Sequence, residues 1–251
     1  MHEARTGDTS NLNTTLTVSR QHKVILLSEN HLWHEAIAAV FNVEPVHVSR
    51  TQLLGSDWLP QQQRLLRDAT LLMIELTPLR TQSGTRNDRR LSTREMHWTS
   101  AAQGLGVPFA MHAPKQCNAW QLNEIHHVAS LPGTSMSWHM WCPYGVSHLS
   151  SGKPLGHCTQ ICSSFPISGR PCECAPGTIH DHCRAQDRQN AMIEWRPLFL
   201  TAIRCIVQRV AEATVVLASA GGEHTGASAT VVCASAGRRR RTSAVGPAQD
   251  T

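Results

Sequence analysis

The stretch "HKVILLSENHLWHEAIAAVF", residues 22–41, decides the fold. Its opening, "HKVILLS", is an apolar run of the length and character of a buried strand. The following "HLWHEAIAAVF" places Leu32, Ala36, Ala39 and Val40 at helical spacing. A buried strand leading at once into a helix is the unit from which parallel sheets are assembled.

The same alternation continues outward. "PVHVS" (45–49) reads as a second strand, and "LPQQQRLLRDA" (59–69) as a helix with Pro60 in its first turn. "TLLMIEL" (70–76) is a third strand, running into the polar loop "TPLRTQSGTRND" (77–88). A helix over 92–106 follows, with Ser92 or Thr93 as its N-cap and Gly104 or Gly106 at its end. "VPFAMHAP" (107–114) is a strand and "NAWQLNEIHHV" (118–128) a short helix. "SMSWHMWCPYG" (135–145) is a further strand candidate, although Trp138 and Trp141 break strict alternation.

The expected architecture is therefore α/β, a Rossmann-like, mostly parallel sheet over residues 21–141. Residues 142–189 form an irregular Cys/His-rich lobe without periodicity. An amphipathic closing helix covers 190–212, with Leu198, Phe199, Ala202, Ile203, Ile206 and Val210 on one face and Arg204 and Arg209 elsewhere. The polar leader 1–20 and the basic tail 213–251, rich in Ala, Ser, Gly and Thr, hold too little apolar material to order themselves.

Composition narrows the setting. A net charge of +5 permits a nucleic-acid partner without demanding one. The first 21 residues have no apolar centre of the kind a signal peptide needs, and no apolar run is long enough for a membrane span. An intracellular location is expected, with the basic run Arg238–Arg241 admitting nuclear import. In a reducing compartment, nine cysteines gathered unevenly point to metal or free thiols rather than disulfides.

The densest gathering is "PCECAPGTIHDHC", residues 171–183. Metal ligation would explain how so apolar-poor a segment holds a shape, because binding free energy becomes folding free energy. The expected zinc ligands are Cys142, Cys174, His180 and Cys183, with Cys172 or His182 as substitutes. Four protein ligands make a closed, structural site. A deaminase would need His-x-Glu and a Pro-Cys-x-x-Cys; here Cys174 follows Cys172 one residue too early and no His-x-Glu precedes. His-Glu-x-x-His and a phosphate-binding Gly loop are also absent, since "SGKPLG" at 151–156 lacks the required spacing. Glu75, Asp88 and Glu95 are read as solvated or capping carboxylates rather than a nuclease centre.

Taken in order, "LLMIELTPLRTQSG", "GVPFAMHAPKQCNAWQL", "WHMWCPYGVSHLSSGKPLGHCTQICSSFP" and "CECAPGTIHDHC" resemble a methyltransferase-like domain of retroelement-type polyproteins, a remote relative of the DNA cytosine methyltransferases. The resemblance implies a nucleophilic Pro-Cys loop after one strand and a Glu-Asn-Pro or Glu-Asn-Val loop after the next. This chain has Thr77–Pro78–Leu79 and His112–Ala113–Pro114 there, so the thiolate and the base-gripping carboxylate are missing. "LLSENHLWHEA" carries bulky residues where a Gly-rich turn would approach S-adenosylmethionine, and "PVHVSR" ends in Ser49–Arg50 rather than an acid.

The resulting expectation is a catalytically degenerate methyltransferase-like binding or scaffold domain with structural zinc and without S-adenosylmethionine. Its nucleic-acid contacts would run through Arg80, Arg86, Arg89 and Arg90 of the 80–90 loop and through Arg238, Arg239, Arg240 and Arg241. Two rivals stand beside it. One is an active S-adenosylmethionine-dependent methyltransferase using His112 or Glu75 as base; the other is a mobile-element relic without selected function.

Overall fold

The computed structural model describes residues 23–78, 85–148, 150–181 and 196–221. The strands are β1 (Val24–Leu27), β2 (Val46–Val48), β3 (Leu71–Glu75), β4 (Phe109–Pro114), β5 (Ser135–Met140) and β6 (Cys158–Ser163). The helices are α1 (His31–Phe41), α2 (Arg50–Leu54), α3 (Trp58–Leu66), α4 (Arg86–Gly104), α5 (Asn123–Ala129) and α6 (Arg196–Gly221). They form one six-stranded sheet in the order β2-β1-β3-β4-β6-β5. β2, β1, β3 and β4 are mutually parallel, while β6 runs antiparallel to both of its neighbours, β4 and β5. The mostly parallel α/β sheet expected from residues 22–41 is thus the fold.

Strand periodicity sorts the core into two layers. Val24, Leu26, Leu71, Met73 and Ala110 face one side, where α1 and α6 cover them with Ala36, Ile37, Ala202, Ile206 and Val210. Ile25, Leu27, Leu72, Ile74, Phe109 and Met111 face the other, under Leu53 of α2, Leu66 of α3, Trp98 of α4 and Ile125 of α5. The apolar stripe of α6 lies where its sequence pattern puts it, with Ala202, Ile203, Ile206 and Val210 buried and Arg204 exposed.

Several boundaries differ from expectation, each for a local reason. α4 begins at Arg86, not near Ser92, because Thr85 makes the capping box. Its Oγ1 accepts from the Asp88 N–H (3.1 Å), and the Asp88 carboxylate accepts from the Thr85 N–H (2.9 Å). Ser92 is instead buried inside the helix. A short helix at 50–54, overlooked in the sequence, has the same device in Ser49 and Gln52. The 118–128 segment divides into a 3-10 turn (Asn118–Gln121) and α5. α6 continues to Gly221, into the segment expected to be disordered. Among the described residues, no helix is long and apolar enough to cross a membrane.

The largest departure is β6. It comes from the lobe read as lacking periodic elements, yet it sits inside the sheet with Cys158, Thr159, Ile161, Cys162 and Ser163 buried. Thiols and hydroxyls replace the usual aliphatic residues there, and Ser163 Oγ satisfies itself on Phe165 O (2.7 Å). The strand fixes the lobe to the core, and its hairpin partner β5 leads directly to the cysteine cluster.

Candidate metal centre

β5 ends at Met140, and the chain turns through a 3-10 turn at Cys142–Tyr144, with Pro143 near its start and Gly145 ending it in the left-handed region (φ 75°). Cys142 is thereby held at the edge of the sheet. The second arm arrives along β5. Arg170 N–H donates to Trp138 O (2.8 Å), and Met140 N–H donates to Arg170 O (2.9 Å). This approach demands glycine before it: a Cβ on Gly169 would lie 2.9 Å from Trp138 O and 3.2 Å from Trp138 N.

Beyond Arg170 the chain passes through Cys172 and Cys174 and reverses at Ala175–Thr178. Pro176 and Gly177 (φ 82°) occupy the central positions of that turn, and the Thr178 N–H donates to Ala175 O (3.0 Å). It then reaches His180 and is tied down again at Asp181, whose N–H donates to Pro154 O (3.0 Å) and whose carbonyl accepts from the Gly156 N–H (2.8 Å). Ser151 Oγ also donates to the Asp181 carboxylate. Both ends of the loop are therefore fixed by backbone pairing, and its ligands converge in between.

Cys142, Cys172, Cys174 and His180 place one ligand atom each within 4.8 Å of all the others. Cys142 Sγ lies 3.5 Å from Cys172 Sγ, and Cys172 Sγ lies 3.3 Å from His180 Nε2. A tetrahedral metal with the usual zinc bond lengths would separate two sulfurs by roughly 3.8 Å and a sulfur from a nitrogen by roughly 3.5 Å. The donor set and the spacing fit a metal ion of zinc's size, and this cluster could hold one.

Electrostatics shape the three thiols unequally. Burial, reinforced by the neighbouring thiols, pushes Cys142 up to about 12, and burial raises Cys174 as well. The N–H of Cys174, 3.4 Å from Cys172 Sγ, draws Cys172 below the usual thiol range. The outer wall is ionic: Arg170 pairs with Glu173 (2.9 Å) and lies 4.9 Å over the Tyr144 ring. Tyr144 in turn hydrogen-bonds His139 Nδ1 (3.3 Å), whose buried ring also meets Ser137 Oγ (3.2 Å).

Of the expected ligands, Cys142, Cys174 and His180 meet, and Cys172 joins them as a full member rather than a substitute. Cys183 and His182 lie outside the described residues. Cys158 and Cys162 belong to β6 and are buried in the sheet. Of the three carboxylates weighed in the sequence, Asp88 is the α4 cap, and Glu95 is buried and bonded to Thr77 Oγ1 (2.5 Å). Glu75 ends β3, and its carboxylate accepts from Ser28 Oγ. As a base, His112 is poorly suited, because complete burial pulls its pKa down to about 3. Arg86, Arg89 and Arg90 are exposed on the first turns of α4, whereas Arg80 and Arg238–Arg241 lie outside the described residues.

Sequence reading missed the pairing of residue 170 with β5, which places Cys172. The signal was the Gly169–Arg170–Pro171 triplet, a glycine where another backbone comes close. Compared with protein-family models, curated proteins and solved structures, the chain matches none.

Proposed function

We propose that this chain is a zinc-clasped binding or scaffold domain of methyltransferase-like type, in which the metal holds the 170–181 loop against the end of β5. The observation that carries the proposal is the convergence of three thiols and one imidazole from two separate segments, 142 and 172–180. Four protein ligands complete a tetrahedron and leave no position for a reacting water, so the zinc's role is structural. Binding deprotonates the thiols and converts metal affinity into loop stability.

The methyltransferase-like part draws support from the fold. The parallel strands carry ligand-side loops at their C-terminal ends, the usual place for binding in open α/β sheets. The β1–α1 turn, Ser28–Glu29–Asn30, contains no glycine and is filled by side-chain bonds: Ser28 Oγ to Glu75, and Asn30 Oδ1 accepting from the Leu32 N–H (3.0 Å). That filling supports a role without S-adenosylmethionine. Exposed Arg86, Arg89 and Arg90 supply a basic edge for a nucleic-acid backbone.

Metal analysis of the full chain purified without chelator tests the proposal. About one zinc per chain is expected, falling below a tenth of that in Cys142→Ser and Cys172→Ser. A folded wild type with no bound metal, or variants that keep it, would refute the clasp.

A further inference from the structure

A cavity of about 690 Å³ opens beyond the C-terminal ends of β1, β3 and β4, on the face covered by α1 and α6. Its size falls in the range of small-molecule sites, and its position is the one where open α/β sheets take ligands. Glu75 and His112 stand at its floor. They are register partners on β3 and β4, so their side chains leave the sheet on the same face.

Three observations define what would fit. First, aromatic surfaces dominate. Trp33 is stacked on the His112 ring with centroids 3.6 Å apart and planes at 27°, and Trp141 meets Phe199 edge-on at 5.0 Å. A cavity walled by such rings favours a flat ring system.

Second, His112 is only 2% exposed, yet its Nε2 has no hydrogen-bond partner among the described residues. A buried polar atom left unmade costs on the order of 1–3 kcal/mol, and a ligand atom would recover that. Burial holds this imidazole neutral and raises the Glu75 carboxyl above the usual range.

Third, the charge is wrong for an anion. Glu75 faces the floor, and Arg196 at the mouth is already engaged by Glu35 at 2.9 Å. Among the described residues lining the cavity the only Lys or Arg is this paired Arg196, so a phosphate or carboxylate would meet the Glu75 carboxyl group.

We infer that this cavity is a binding site for an uncharged, two-ring aromatic heterocycle carrying a ring N–H and an acceptor nitrogen on one edge, held between Trp33 and Phe199 with that edge toward Glu75 and His112. The N–H donates to the Glu75 carboxylate, and the acceptor nitrogen accepts a hydrogen bond from the His112 Nε2–H. The site is separate from the cysteine cluster and stands whether or not that cluster holds zinc.

Benzimidazole is the probe, titrated calorimetrically into the full chain beside 1-methylbenzimidazole and 2-naphthoate. The expected result is saturable one-site binding of benzimidazole. Affinity should be about tenfold weaker for the N-methyl compound, the loss of one hydrogen bond, and no saturation should appear with the naphthoate. His112→Phe keeps the stack on Trp33 but removes Nε2, and should weaken benzimidazole and 1-methylbenzimidazole alike by about tenfold, because both present the acceptor nitrogen. The comparison of the two neutral ligands needs no variant and stands if His112→Phe fails to fold. Absence of saturable benzimidazole binding, equal binding of its N-methyl form, or tighter binding of the naphthoate would each overturn the inference. So would competition by S-adenosylmethionine, which would make the cavity a cofactor site.

Discussion

Glu95 is 2% exposed on α4, its carboxylate held by the Oγ1 and N–H of Thr77. Burial outweighs those bonds and raises its pKa from 4.5 to about 7. The folded chain therefore keeps this proton to higher pH than the unfolded chain does. The stability tied to it is whole below pH 4.5 and is lost as pH rises through about 7. His112 and His139, drawn down to about 3 and about 4 by burial, act oppositely, losing stability as pH falls below the ordinary histidine range. Comparing Glu95→Gln with wild type isolates the carboxyl. The variant's advantage in unfolding free energy should grow by about 3 kcal/mol between about pH 4 and pH 8. Parallel curves for the two proteins would show that Glu95 ionises as freely folded as unfolded. Gly169 makes a steric prediction at the same scale. Gly169→Ala forces a Cβ to 2.9 Å from Trp138 O and should cost about 1–3 kcal/mol in denaturant unfolding, with weaker zinc retention against a chelator. Unchanged stability would mean that the 169–170 backbone is not held against β5.

Among the elements, legibility followed chemistry. β1, α1 and β3 were readable because an unbroken aliphatic run and a helical stripe each have one physical interpretation. β6 was not, because Cys158, Thr159, Cys162 and Ser163 carry little hydrophobic signal although all are buried. The start of α4 was missed because Thr85 and Asp88 looked like loop residues and act as a reciprocal cap. Thr85→Ala should therefore lower stability by about 1 kcal/mol in thermal unfolding; no change would mean the box contributes nothing beyond solvation. The exposed arginines of the same helix end carry the nucleic-acid expectation. With a DNA duplex, replacing Arg86, Arg89 and Arg90 by Ala should flatten the dependence of log affinity on log salt by up to about three units, one per phosphate contact. An unaltered salt slope would remove this surface from any such role.

For the whole molecule, the sheet supplies the frame, and the cysteine cluster gathers where apolar material runs out. The residue types of the candidate site were legible, because Cys and His crowded into a segment poor in core residues have few other uses. Which of them meet was not, because Cys172, 30 residues beyond Cys142 in the chain, is placed by pairing of Arg170 with β5. The proposed clasp holds zinc through Cys142, Cys172, Cys174 and His180. X-ray absorption fine structure of the zinc-loaded full chain reads that ligand set directly. The expected shell is three sulfurs at about 2.3 Å and one nitrogen at about 2.0–2.1 Å. Four sulfurs, or a shell of nitrogen and oxygen alone, would contradict it.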